Sequence, residues 1–255
     1  MCRKNAAVKQ RKLLIDAVQS AKFITTRKSR ELIKKLERHV SRYQAEQLHR
    51  QVFIAGRVKS MNESIYYNID KLHEAINTGV QIRFQYGQWN VNKTIELRRD
   101  GAWYQVSPWA LTWDDENYYL IGFDAEDDKI KHYRVDKMRD IELTDEKREG
   151  KEHFKQFDMA AYARMNFGMF GGEEVRVNLH FRNEMVGVLL DRFGKDISIY
   201  KTDKEGWSET YVDVALSDQF LGWIFSLGTK VKIVGPEEVV KKFKDELKNM
   251  SKLYG

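Results

Sequence analysis

Cysteine is almost missing from this 255-residue chain: Cys2 is the single thiol, so no internal disulfide can form and a reducing compartment is expected. Proline is nearly as scarce, at two residues, which leaves long segments free to form helices and strands. No apolar run approaches the roughly 18 residues that a membrane-spanning helix needs. The basic start, Met1-Cys2-Arg3-Lys4-Asn5, is followed by no apolar stretch of a secretory signal, so a cytoplasmic protein without membrane contact is expected. The histidines, His39, His49, His73, His132, His153 and His180, stand at no metal-ligand spacing. No Gly-x-Ser-x-Gly elbow occurs. Gly187…Gly194-Lys195 has the wrong spacing for a phosphate loop, and Gly168-Met169-Phe170-Gly171-Gly172 lacks the dinucleotide pattern. These absences weigh against an enzyme, a metal site and a bound cofactor.

Charge, by contrast, is plentiful and unevenly placed. Residues 1–60 hold 16 Lys and Arg against four acids, Asp16, Glu31, Glu37 and Glu46, a balance of +12. The remaining 195 residues hold 28 bases and 34 acids, a balance of −6. Two readings fit this split. One is a basic segment that meets nucleic acid or an acidic partner; the other is a solvated helical face neutralised by the rest of the chain.

The spacing of apolar residues predicts helices first. Leu13, Leu14, Ala17, Val18 and Ala21 recur at helical intervals, as do Leu32, Ile33, Leu36, Val40 and Tyr43, with Thr25 or Thr26 placed to cap the second run. A third helix, carrying Ile65, Ile69, Leu72 and Ile76, should stop at Gly79. There the period changes to two: Val80, Ile82, Phe84 and Tyr86 alternate with polar residues, as in a half-buried strand. Strand-like runs follow at Thr94–Arg99, Trp103–Val106, Tyr118–Phe123, Ile130–Val135 and Asp140–Leu143, separated by acidic turns. Short strands at such spacing predict a small, strongly bent sheet or partly closed barrel. From Val175 onward the order is strand, helix, hairpin, helix and strand, the β-α-β-β-α-β order of a ferredoxin-like sandwich, before a last helix opened by Pro236.

One stretch is distinctive. Ser107-Pro108-Trp109-Ala110-Leu111-Thr112-Trp113 is followed by Tyr118-Tyr119-Leu120-Ile121-Gly122-Phe123 and then by Lys129-Ile130-Lys131-His132-Tyr133-Arg134-Val135-Asp136-Lys137-Met138. It resembles the WYL domain of bacterial transcriptional regulators, a proline-led strand, an aromatic-Tyr-Leu strand and a basic strand of the form R-x-F-R-x-D-R. Tyr118 stands where the family has Trp, and Lys131 and Lys137 stand where it has Arg; these changes keep the charge and lose the bidentate geometry. Leu221-Gly222-Trp223-Ile224-Phe225-Ser226-Leu227-Gly228 and Val231-Lys232-Ile233-Val234-Gly235-Pro236 are similar to the C-terminal extension that accompanies such domains.

The resemblance implies an α+β protein: a basic helical linker or dimerisation segment over 1–60, a small SH3/Sm-like β-barrel over 61–148, a linker over 149–172 and a ferredoxin-like extension over 173–255. No complete winged helix-turn-helix is recognised ahead of the linker helices, so a regulatory part is implied rather than a whole DNA-binding factor. The implied ligand is a nucleotide or single-stranded nucleic acid, held by Lys131, His132, Arg134, Lys137, Tyr118, Tyr119 and Arg98. Along the basic strand, Ile130, His132 and Arg134 share one face, while Lys131, Tyr133 and Val135 share the other. An exposed arginine on a strand is ordinarily a solvated charge, and one of two consecutive tyrosines is ordinarily core. The competing reading is a structural dimerisation or protein-interaction module with no ligand of its own, and a homodimer is expected in either case.

The basic segment generates the first prediction. Without a reading helix, residues 1–60 should bind duplex DNA weakly and without regard to sequence, with affinity falling steeply as salt rises. Titrating unrelated fluorescent duplexes at low and moderate salt checks this; tight, selective binding that survives moderate salt contradicts it.

Overall fold

A computed structural model describes residues 10, 13–37, 59, 64–155 and 158–255, in two compact units that divide between His153 and Phe154. The expected helical positions Val40 and Tyr43, and much of the basic charge of residues 1–60, lie outside the described residues. No helix among the described residues is long and apolar enough to cross a membrane.

The first unit begins with a helical stretch over 13–20 and helix α1 (Thr26–Glu37). Thr25 caps α1 by accepting from the Lys28 N–H at 3.2 Å. Ile15 and Ile33 bury themselves together, with Val18 and Leu36 against them. The Lys59 ammonium donates to Val18 O, Ala21 O and Ser29 Oγ, satisfying carbonyls at the end of the first helical stretch. Helix α2 (Ile65–Thr78) ends as the sequence implies, with Gly79 at φ 69° returning its N–H to Ala75 O.

Strands β1 (Val80–Trp89), β2 (Ile95–Leu97), β3 (Tyr104–Asp114), β4 (Asn117–Asp124), β5 (Lys129–Arg134) and β6 (Met138–Lys147) form one antiparallel sheet. Its order is β2-β1-β3-β4-β5, with β6 on β1. Ile65, Leu72 and Ala75 of α2 pack with Ile82, Phe84, Leu120, Tyr133 and Met138 to make the core. The α+β class holds, and three details of the sequence reading change. First, β3 continues past Val106, because Pro108 is placed next to a register shift where its missing N–H breaks no regular ladder. Second, β2 stops at Leu97, and Arg98–Gly101 is a tight turn with Arg99 and Asp100 at φ 51° and 53°.

The third change concerns closure: no closed barrel forms among the described residues, since β5 and β6 are joined by the turn Val135–Lys137 and share no ladder. Side chains take the backbone groups at that corner instead. The Arg134 N–H donates to Tyr86 Oη at 3.0 Å, and the Asn68 amide donates to Val135 O at 3.3 Å and Met138 O at 3.0 Å.

The second unit holds helix α4 (Met159–Met165), which follows a single turn, α3 (Lys151–Phe154). Next come β7 (Glu173–Arg182), α5 (Val186–Phe193), β8 (Ile199–Lys201), β9 (Trp207–Leu216), α6 (Asp218–Ser226), β10 (Val231–Gly235) and α7 (Glu237–Leu253). The sheet is antiparallel, in the order β10-β7-β9-β8. Val177, Leu179, Phe181, Val212 and Val214 point from one face into a core with Leu189 and Phe193 of α5, Phe220 and Ile224 of α6 and Val239 of α7. Ser217 caps α6 by accepting from Phe220 N.

Asn68 generates the second prediction. Asn68→Ala removes one hydrogen bond from each of two carbonyls at the β5–β6 corner, leaving Val135 O with the Met138 N–H and Met138 O with a 3.4 Å contact from Arg139 Nη1, and should cost about 1–3 kcal/mol. Urea unfolding of the two proteins measures it. A loss below about 0.5 kcal/mol, the range of an ordinary surface change, means that water replaces the amide.

Candidate functional site in the first unit

The site lies where β5 ends. Period-two alternation sends Tyr133 into the core and leaves Arg134 on the other face, beside Tyr119 in register on β4. The Arg134 guanidinium is held in place. Nε and Nη2 donate to the two carboxylate oxygens of Asp136 at 3.0 and 2.8 Å, and Nη2 also donates to Asn117 Oδ1 at 3.0 Å. With its side chain 33% exposed, Arg134 is neither core nor a free surface charge. Burial works against its protonated form, and the Asp136 hydrogen bonds and charge outweigh this, so its pKa rises.

Lys137 follows three residues later on the 3₁₀ turn and is half-buried. Burial lowers its pKa first; the charges of Arg134 and Arg98 push the same way, and Asp136 opposes them. Arg98, on its exposed turn, is close enough for its field to act on both Lys137 and the Tyr86 hydroxyl. The charges of Arg98, Arg134 and Asp136 all act on Lys137, and those of Asp114 and Asp115 act on the neighbouring Tyr119. Tyr119 is buried beside Arg134, and burial pushes its hydroxyl up to about 12, with the Arg134 charge working against the rise. His132 lies with its ring centroid 6.4 Å from that of Tyr119, edge to face. This arrangement can hold a phosphate or carboxylate group: a fixed guanidinium supplies directed N–H donors, a lysine supplies a point charge, and the partly dry surroundings strengthen both.

Two residues expected at the site are placed elsewhere. Lys131 points to the other side of β5 and gives its ammonium to Asp124, at 2.7 Å, and to Asp127. Asp124 also accepts from the Tyr133 hydroxyl and from the Glu126 and Asp127 N–H groups, so this lysine closes the β4–β5 turn. Burial favours its neutral form, but the bonds to Asp124 and Asp127 prevail and raise its pKa. Tyr118 packs against Phe23 and Trp113, with centroids 5.1 and 4.8 Å away. Arg98, His132, Arg134, Lys137 and Tyr119 are brought together. The sequence reading missed Tyr86 and Asn117. Tyr86 ends an alternating apolar run and reads as core, while Asn117 sits in an acidic turn that reads as solvated. Neither carries a local mark of its partner. Among the described residues, no group of three or more His, Cys, Asp and Glu is placed to hold a metal ion.

The depressed Lys137 generates the third prediction. Its folded-state pKa lies below the ordinary value of about 10.4, so keeping it protonated costs the fold stability at neutral pH. That cost is full below the folded pKa, shrinks as pH rises through it, and is gone above the unfolded value. Lys137→Met should therefore be more stable than wild type at pH 7 by a margin that closes as pH approaches about 10.4. Denaturant melts from pH 7 upward measure it; a constant margin contradicts the electrostatic origin.

Two family patterns match the chain, the WYL domain over residues 67–143 and the WCX domain over residues 173–251. Comparison with curated proteins finds no match. Among solved structures, the chain is similar to proteasome accessory factor B/C (PafBC) of Arthrobacter aurescens, at 16% identity and a TM-score of 0.33, over 79% of this chain and 28% of that one. It is also similar to a CRISPR Cas-related protein, at 14% identity and a TM-score of 0.45, over 74% of this chain and 52% of that one. The chain thus spans between about a quarter and about half of the length of these two proteins. With both patterns matched in this order over more than half of its length, the chain belongs to the WYL-domain family, its WYL domain followed by a WCX domain.

Proposed function

We propose that this chain is the ligand-sensing part of a bacterial transcriptional regulator, and that its WYL domain binds a nucleotide or single-stranded nucleic acid. One observation supports the reading above others: Arg134 and Lys137 share a half-buried rim beside Asp136, and the charge of the exposed Arg98 reaches Lys137. Arg134 uses Nε and Nη2 within the protein, which orients the guanidinium and leaves the Nη1 amino group for a phosphate. Lys137 adds charge without direction, Arg98 adds it from the exposed turn, and His132 and Tyr119 provide rings beside the anion. Lys131 and Tyr118 serve the site only by holding β5 and β4 in shape. The chain carries out no chemical step in this reading, works in the cytoplasm and acts as a homodimer. We also read the β10-β7-β9-β8 order of the second unit as a ferredoxin-like sandwich.

A purely structural role in assembly has an observation of its own. Trp89, Val91, Ile95 and Leu97 leave the β1–β2 ribbon with an exposed apolar surface.

Arg134→Ala distinguishes the two. It should weaken binding of a short single-stranded oligonucleotide by about 1–3 kcal/mol, the range of a charge-assisted hydrogen bond, with a melting curve as control. Unchanged affinity with an intact melt removes Arg134 from the site. Failure of the wild type to bind any oligonucleotide or nucleotide, with light scattering at about twice 30.1 kDa, leaves the assembly reading.

A further inference from the structure

The sheet of the second unit has two faces, and the helices α5 and α6 bury only one of them. Alternation along β7 and β9 places charged and aromatic residues on the other. At one end of that face, Trp207 stands opposite Arg182, and three cations surround its ring: Arg182 at 5.3 Å, Lys204 at 4.7 Å and Lys232 at 6.0 Å from the centroid. The Trp207 indole N–H is buried and has no hydrogen-bond partner. The neighbouring acid, Glu184, is bound to Lys230 at 2.7 Å and also feels the Arg182 charge, so it offsets the trio only in part. At the other end, Tyr200 and Tyr211 are 51% and 41% exposed, with centroids 6.3 Å apart and planes at 72°. The Arg176 guanidinium lies 5.9 Å from the Tyr211 ring, and an open cleft of about 320 Å³ runs beside both tyrosines. Between the ends is the Glu209 carboxylate, whose Oε2 is bound by His180 Nε2 at 2.9 Å and by the Asn178 amide at 3.3 Å, which leaves Oε1 as the acceptor for a ligand.

We propose that this face of the WCX domain binds single-stranded RNA, at a site separate from the one around Arg134. Exposed rings on an open sheet stack bases of any identity, provided the bases are not already stacked in a duplex. Cations at the Trp207 end meet the backbone phosphates. Tyr200 and Tyr211 are the rings open to a base, whereas Trp207 is buried beneath its cations and holds them in place. The Glu209 carboxylate in the middle of the face chooses the sugar. Phosphate oxygens cannot donate to it, whereas every ribose brings a 2′-hydroxyl that can; deoxyribose brings none. This inference stands on a different domain from the proposed ligand site and does not depend on it.

The test uses the full chain, a uridine decamer and a deoxyuridine decamer, with binding followed by fluorescence anisotropy and ultraviolet crosslinks located by mass spectrometry. Arg134→Ala should leave uridine crosslinks at Tyr200 or Tyr211. Adding Tyr200→Ala and Tyr211→Ala should remove them and weaken binding on the order of tenfold or more, since each ring loses a stacked base. Lys204→Ala with Lys232→Ala should make the affinity less dependent on salt. Both pairs are exposed, so a melting curve like that of the parent is expected for each. Crosslinks absent from 173–255, or unchanged affinity in the tyrosine pair, overturn the proposal. Equal or tighter binding of the deoxyuridine strand overturns the assignment to RNA. If Arg134→Ala abolishes all binding and the tyrosine pair does not, this site fails and the WYL-domain site stands; the reverse pattern rejects the WYL-domain site alone.

Discussion

One buried amide holds the corner on which the WYL-domain site is built. Asn68 projects from α2 into the space between β5 and β6 and donates to the carbonyls of Val135 and Met138. Those carbonyls bracket Asp136 and Lys137. A ladder between β5 and β6 would satisfy the same groups and flatten the turn, drawing its side chains into strand alternation. With the amide in place, the turn keeps its 3₁₀ form, Asp136 can reach back to Arg134, and Lys137 is left half-buried beside them. Tyr86 adds a second strut by accepting from the Arg134 N–H. A helix and a strand distant in the chain thus set the geometry of four consecutive residues, Arg134 to Lys137.

The electrostatics follow from that geometry. Gathering like charges in a partly dry corner is costly, and the depressed pKa of Lys137 records the cost. Asp136 offsets part of it by binding Arg134 with both oxygens, so the corner remains folded while keeping an excess of positive charge. Lys131, three residues before Arg134 on the same strand, shows the opposite solution. Its ammonium is matched by Asp124 and Asp127, leaving little field for a ligand. Two basic residues that look equivalent in sequence differ because their side chains leave β5 on opposite faces.

The second unit distributes charge differently. Around Arg134 the cations share a corner with Asp136; on the WCX sheet Arg182, Lys204 and Lys232 surround the Trp207 ring, and Arg176 lies beside Tyr211.

Local pattern was enough for much of the framework. The change from helical to two-residue period at Gly79, the capping Thr25, and the β-α-β-β-α-β order after Val175 are legible because each depends on neighbours within a few residues. The inward face of β5 was legible for the same reason, since Tyr133 and Val135 are apolar at alternate positions. The open edge between β5 and β6, the length of β3 past Pro108, the separation of Lys131 from Arg134, and the parts played by Asn68, Tyr86 and Asn117 were not. Each depends on which distant group satisfies a given backbone carbonyl, N–H or charge. Periodicity along the chain carries no record of such partners, and only the folded packing decides them.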